Sequence, residues 1–341
     1  GAAGAEHHEG KPEMIAHSKP TLGDEEVAAA ERVLRSGMLA QGAEVEAFER
    51  ACAAFVGRMH GIAVNSGTSA LHLALGALGI ESGDRVAVPS YACAALITAV
   101  HLQGGHPVLC DTGPDYNVDL GAVPAACHAA IVPHLFGAAA RLPEAVVVIE
   151  DIAQSIGGST GKSTPVAVAS FYATKLLTTG EGGVLLTDDE TIAAYARDRR
   201  SYDNRDDLAR RWPYKMTDVQ AAIGRVQLER LPDFIACRRA IAARYTEGLD
   251  GLPLRLPCGA DHVYYRYVVA TPERDALEAH LRSCGVEAKR PVYQPAHHYV
   301  GGDFPNAEAA HREALSLPIY PSLLEEEIEH VLDSVHSFFA W

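Results

Sequence analysis

An α/β fold with a mainly parallel sheet covered on both faces, followed by a small α+β domain, is the architecture this sequence predicts, and three observations predict it. Short, continuously apolar runs alternate with stretches of helical spacing between residues 61 and 187. Strands buried on both faces read this way, whereas a half-exposed sheet reads as strict alternation. A long helical pattern over 218–245 closes that region, and after residue 249 the pattern becomes strand, helix, Pro-rich loop and last helix. At 341 residues the chain exceeds one small core and suits a large unit with a smaller one. The expected division is a mobile N-terminal tail over 1–18, a large domain over 19–245 and a small C-terminal domain over 246–341.

The elements follow in order. Residues 25–36 place Val27, Ala30, Val33 and Leu34 at helical spacing, and a Gly-containing loop (36–42) leads to a second helix near 45–56. Residues 61–65 read as a strand and 68–78 as a helix; 85–89 is a strand and 91–102 a helix. Further strands are expected at 106–111, 130–134, 146–149, 167–171 and 183–187. The helix over 218–245 is expected to break at Pro232, which lacks an N–H and crowds the preceding turn. The last part holds a strand over 264–270, a helix over 274–284 and a helix from residue 324. No repeat or low-complexity tract is visible.

Composition narrows the function. Hydrophobic residues make up 48% and charged residues 21%, an ordinary globular balance. No apolar run approaches the roughly 20 residues of a membrane-spanning helix, and residues 1–11 lack the basic start and apolar stretch of a signal peptide. A cytoplasmic protein is expected, with no membrane partner. The net charge of −15 argues against a nucleic-acid groove, which needs a clustered basic face. The seven cysteines (52, 93, 110, 127, 237, 258 and 284) are scattered and form no CxxC pair. Buried free thiols in a reducing compartment, and no metal site, are the expectation.

Ligands of an open α/β sheet sit beyond the carboxyl ends of the strands, so the polar residues there carry the chemistry. After the first strand comes Ser66-Gly-Thr-Ser-Ala70, opening a helix. Small residues leave backbone N–H groups free to meet a phosphate at the positive end of the dipole; an ordinary Ser N-cap reads the same way. Another strand ends in Glu150-Asp-Ile-Ala-Gln154. A carboxylate at a buried strand end is costly unless it meets a cation, and a pyridinium N–H is one such cation. A third strand leads through Ser170-Phe171 to Lys175 and then Thr179-Gly-Glu-Gly-Gly183. A lysine in an apolar small-residue loop can act as a nucleophile, although any single loop lysine is by default solvent-facing. Co-occurrence of all three at successive strand ends favours the chemical reading.

With these motifs the sequence resembles the DegT/DnrJ/EryC1/StrS family of sugar aminotransferases, fold type I pyridoxal-phosphate enzymes. The resemblance rests on Lys19-Pro20, residues 36–49, Asn65-Ser-Gly-Thr-Ser-Ala-Leu71, Gly83-Asp84 and His134-Leu-Phe-Gly137. It continues through residues 150–154, Ser170-Phe171 with Lys175, Thr179-Gly-Glu-Gly-Gly183, Tyr214-Lys-Met-Thr-Asp218, Ala221-Ala222, Gln227-Leu228 and Leu317-Pro-Ile-Tyr-Pro321, nearly the whole chain.

The resemblance implies that Lys175 carries pyridoxal 5'-phosphate as a Schiff base and moves the proton during catalysis. Asp151 would hold the pyridinium nitrogen, Gln154 the phenolic oxygen, and Gly67, Thr68 and Ser170 the phosphate. Tyr293 and His297, in Tyr293-Gln-Pro-Ala-His297, would close over the sugar. The implied reaction transfers an amino group from L-glutamate to a keto-sugar, nucleotide-linked, in a homodimer formed through the face of 180–183 and 202–216. Two positions depart from the family pattern: Cys93 stands where an aromatic ring usually stacks on the cofactor, and Pro213 where an Asn usually reaches the partner subunit's phosphate. A related dehydratase chemistry is the nearest alternative, and those relatives carry His in place of Lys175. A cofactor-binding regulatory protein is the alternative of a different class. No GxGxxG follows a strand, which argues against a nicotinamide enzyme.

Overall fold

A computed structural model describes residues 14–259 and 261–340. Its elements are α1 (Asp24–Ser36), α2 (Ala43–Val56), β1 (His60–Val64), α3 (Gly67–Ala77), β2 (Arg85–Pro89), α4 (Ala95–Gln103) and β3 (His106–Cys110). There follow β4 (Ala129–Pro133), β5 (Val147–Asp151), β6 (Val166–Ser170), β7 (Gly183–Thr187), α5 (Glu190–Arg199) and α6 (Asp218–Gly248). The last part holds β8 (Tyr267–Ala270), α7 (Arg274–Ser283), α8 (His297–Val300), α9 (Pro305–Glu313), β9 (Ala314–Leu317) and α10 (Glu325–Phe339).

Seven strands form one sheet in the order β1-β7-β6-β5-β4-β2-β3. Only β7 runs against its neighbours, pairing antiparallel with both β1 and β6. Alternate residues of a strand face opposite sides, and the cores divide accordingly. Ile62, Val64, Val166, Val168 and Leu185 pack under α3, α4 and α5. Ala63, Ala167, Ala169, Val184 and Leu186 pack against α2 and the first half of α6. Both faces are therefore buried, the arrangement that short all-apolar runs predict. A separate apolar cluster joins the second half of α6 to β8, β9, α7 and α10 through Tyr245, Tyr267, Leu281, Leu317 and Val331.

Several expectations are corrected. Helix α6 runs unbroken through Pro232. The ring is exposed while Leu228, Leu231, Phe234 and Ile235 are buried on the opposite side, so packing on both flanks outweighs the loss of one hydrogen bond of the ladder. The helix expected from residue 91 starts at Ala95, because 92–94 turn toward the ligand end of the sheet. The strand expected from residue 264 starts at Tyr267, since Tyr264 adopts φ +50°. Helices α5 and α9 and strand β9 carry too few regularly spaced apolar residues to be read in advance. Residues 1–13 of the expected tail lie outside the described residues. Residues 14–18 do not continue it: Ile15 is buried and exchanges backbone hydrogen bonds with Gly285 and Glu287. Three cysteines (Cys52, Cys110 and Cys127) are buried as expected, whereas Cys93, Cys237 and Cys258 are exposed; none forms a disulfide.

Candidate active site

The carboxyl ends of β1, β2, β4, β5 and β6 converge on a cavity of about 260 Å³. The segments after those strands line it: Ser66, Gly67 and Thr68, then Cys93, then Pro133 and Leu135, then Asp151 and Gln154, then Ser170, Tyr172 and Lys175. Residues far apart in sequence meet here because parallel strands place all their carboxyl ends on one edge.

At one end lies the start of α3. Ser66 caps it, accepting from Ser69 N at 3.1 Å, while the N–H groups of Gly67 and Thr68 have no protein partner among the described residues. Register brings this turn beside Ser170, since Gly183 pairs with both Val64 and Ser170. The approach is too close for side chains. A Cβ on Gly67 would sit 2.8 Å from Ser170 Cβ, and one on Gly183 would sit 2.5 Å from Ser66 O. The result is two free backbone donors and the hydroxyls of Thr68 and Ser170 around a positive helix end, a cradle suited to a phosphate.

At the other end Asp151 closes β5. Its Oδ1 accepts from Ala153 N at 3.0 Å. Burial raises its carboxyl above the ordinary range, against the opposing pull of the Lys175 ammonium. Beside it, Gln154 Oε1 accepts from Phe136 N at 2.7 Å. That bond uses the amide oxygen and leaves the NH2 group to donate. It also explains the motif His134-Leu-Phe-Gly137: Phe136 sits at φ +61°, a costly conformation for an aromatic residue, and so turns its N–H toward Gln154.

Lys175 ends a tight turn after β6, its N–H bonded to Tyr172 O at 2.9 Å. The 171–182 loop is closed by Phe171 N to Gly182 O and Thr179 N to Phe171 O. Lys175 Nζ lies 5.2 Å from the centre of the Tyr265 ring, and Arg266 covers the same ring at 4.5 Å while donating to Tyr265 Oη at 3.1 Å. Burial would raise this phenol, yet Lys175, Arg266 and the Thr174 hydroxyl outweigh it and bring Tyr265 down to about 8. Tyr265 was not foreseen, because nothing in a strand-like run of tyrosines signals contact with a loop 90 residues earlier.

The remaining residues fall as follows. Exposed Cys93 lines the cavity, where the surrounding atoms push its thiol upward. Tyr293 is 86% exposed, and His297 is buried against Ser90 and Glu308; neither lines the cavity. Pro213 accepts from Asn65 Nδ2 at 3.2 Å, next to the start of α3.

An aldehyde-bearing pyridine phosphate fits this donor set. The cradle would suit the phosphate and the half-buried carboxylate of Asp151 a ring N–H⁺, and the amine-bearing Lys175 lines the same cavity. No helix is long and apolar enough to cross a membrane among the described residues.

The profile of the DegT/DnrJ/EryC1/StrS aminotransferase family matches residues 20–336. GDP-perosamine synthase of Caulobacter vibrioides is 35% identical over 325 residues, covering 84% of this chain and 87% of that protein. The dTDP-3-amino-3,4,6-trideoxy-alpha-D-glucose transaminase of Streptomyces venezuelae is 34% identical, with 91% of each chain covered. Among solved structures, Streptomyces venezuelae DesV in complex with a ketimine intermediate superposes with a TM-score of 0.88 at 34% identity, covering 93% of this chain and 95% of that one.

Proposed function

This chain belongs to the DegT/DnrJ/EryC1/StrS aminotransferase family, and we propose that it transfers an amino group from L-glutamate to a nucleotide-linked keto-sugar. It is a pyridoxal-phosphate-dependent sugar aminotransferase. The observation that carries the residue assignment is the meeting of Lys175, Asp151 and the start of α3 on one cavity. The nucleotide-linked substrate is supported by the names of the relatives that act on GDP- and dTDP-sugars.

When bound, pyridoxal phosphate supplies a carbonyl for the amine and a ring that accepts the electron pair released at the substrate carbon. The chain supplies position and charge. Gly67 N, Thr68 and Ser170 would hold the phosphate, and Asp151 would keep the ring nitrogen protonated. The free amide NH2 of Gln154 would donate to the ring's oxygen. Lys175 Nζ would anchor the cofactor's carbonyl carbon and would serve as the base that moves the proton at the donor's carbon. The Tyr265 ring, covered by Arg266, lies 5.2 Å from that amine and would help to position it. Cys93 would stand at the ring without supplying an aromatic cover. We further place the protein in the cytoplasm as a homodimer, with the small C-terminal part closing over the sugar.

Borohydride reduction followed by peptide mapping tests the assignment. The cofactor is expected on Lys175, and Lys175→Ala is expected to lose both this linkage and the glutamate half-reaction. Attachment at another lysine would remove the assignment.

A further inference from the structure

Outside the cavity, one cluster of side chains holds a chemistry that the aminotransferase reading does not use. His297 and His298 open α8, and Glu308 lies on α9. A single carboxylate oxygen, Glu308 Oε2, stands 3.2 Å from His297 Nε2 and 2.8 Å from His298 Nε2. The three atoms lie within 4.8 Å of one another. We propose that these residues bind one divalent transition-metal ion of the zinc class, through His297 Nε2, His298 Nε2 and a Glu308 oxygen, with water in the fourth position.

The donor set selects the ion. Two imidazoles and one carboxylate suit zinc, whereas calcium and magnesium take oxygen ligands almost exclusively. Bonds of about 2.0–2.2 Å around a tetrahedral ion put neighbouring ligand atoms roughly 3.3 Å apart. The observed 3.2 and 2.8 Å lie close to that span, and the two imidazole nitrogens, within 4.8 Å of each other, would close on the ion by a small side-chain adjustment.

The orientation of His297 supports the same ligand. Its Nδ1 is 2.5 Å from Ser90 Oγ, and Ser90 is fully buried. A metal on Nε2 puts the proton on Nδ1, which then donates to the serine oxygen. Ligating imidazoles are characteristically held by such an outer partner, which sets the tautomer and the ring plane.

A third imidazole lies alongside, with the His311 ring perpendicular to His298 at 5.1 Å between centres. Its Nε2 faces the Arg290 guanidinium at 3.3 Å. Arginine only donates, so the His311 proton sits on Nδ1, which is buried without a partner among the described residues. An unused N–H donor thus lies on the imidazole packed against His298.

The ion would act as a clip. Ala296, just before the pair, is buried and donates its N–H to Ser90 O at 2.7 Å. The start of α9 is held by Asp111, which accepts from Asn306 N and Ala307 N. Metal at the cluster would join these two anchored segments. The expectation of no metal site was drawn from the cysteines, and the ligands here are His and Glu brought together by the turn between α8 and α9.

Zinc titration calorimetry on chelator-dialysed, cofactor-loaded protein tests the proposal. It is run with His7→Ala and His8→Ala in place, so that the other adjacent His pair contributes nothing. One equivalent of zinc is expected to bind. His298→Ala and Glu308→Gln should each weaken it by more than the roughly 10-fold that loss of an outer partner alone costs. Both side chains are partly exposed, and melting curves without metal verify that the variants fold. Cobalt(II) in place of zinc should give tetrahedral visible bands in the parent and none in either variant. No bound zinc, or zinc bound equally by the parent and both variants, would overturn the site.

Discussion

Asp151 holds a charge at a cost that a cation in the cavity offsets. Its carboxyl is raised by burial and has one backbone donor in the apoprotein. Asp151→Asn keeps the shape and a hydrogen-bonding group but removes the charge. The glutamate half-reaction is expected to fall by roughly 100-fold or more, with the melting temperature of the apoprotein unchanged or higher. A stopped-flow half-reaction beside a melting curve measures both; near-normal rates would remove Asp151 from the cofactor's site. Tyr265 carries the second prediction at this scale. Its phenol is brought down to about 8, so apoprotein titrated by tyrosinate absorbance should show one group ionising there that Tyr265→Phe lacks. Lys175→Ala should move that ionisation upward. The stability effect has a fixed sign: because the folded value lies below the ordinary one, Tyr265 adds nothing below about pH 8 and adds progressively as pH rises from there toward the unfolded value. Asp151 was legible because a strand end announces itself in sequence. Tyr265 was not, because its partner Lys175 is contributed by another element.

The edge strand β1 shows what an element needs beyond its own residues. It is held to α2 by a buried pair: Arg200 Nη1 bonds Glu49 Oε1 and also donates to Ala63 O at 2.8 Å, while Ala63 N donates to Glu49 Oε1 at 2.8 Å. Removing the cation strands a buried carboxylate, so Arg200→Ala is expected to cost about 3 kcal/mol or more. The combination Glu49→Gln with Arg200→Met should recover part of that loss, as urea midpoints would report. Additive losses would mean that the two residues act separately. Helix α6 makes the complementary point. Local chemistry at Pro232 predicts a break, but a 31-residue helix buried on both flanks of that residue tolerates one missing bond. Likewise α4 begins at Ala95 rather than at residue 91 because 92–93 line the cavity.

For the molecule as a whole, the rim beside the cavity is the surface that calls for a second copy. Met38 (72% exposed), Tyr202 (59%) and Leu208 (103%) stand out among its apolar residues, joined by Leu39 and Tyr172. The start of α6 ties the 36–42 loop to the 171–182 loop through the bonds from Asp218 N to Leu39 O and from Gln220 Nε2 to Glu181 O. Glu181 and Tyr172 also line the cavity, so covering this face completes the site's wall. Sedimentation is expected to give a dimer at micromolar concentration, and Met38→Asp with Leu208→Asp to give monomers of lowered activity. A fully active monomer would count against it. The sequence by itself determined the parallel α/β sheet, because short apolar runs at strand length and helical spacing between them are local patterns. It also brought Gly67, Asp151, Ser170 and Lys175 to one cavity, because in such a sheet the carboxyl ends of the parallel strands fall on one edge. Only the tertiary structure decided the rest. The antiparallel insertion of β7, the packing of Lys175 and Arg266 on Tyr265 and the meeting of His297 with Glu308 are contacts between separated segments. Such contacts follow from how whole elements pack, and no local period in the chain records them.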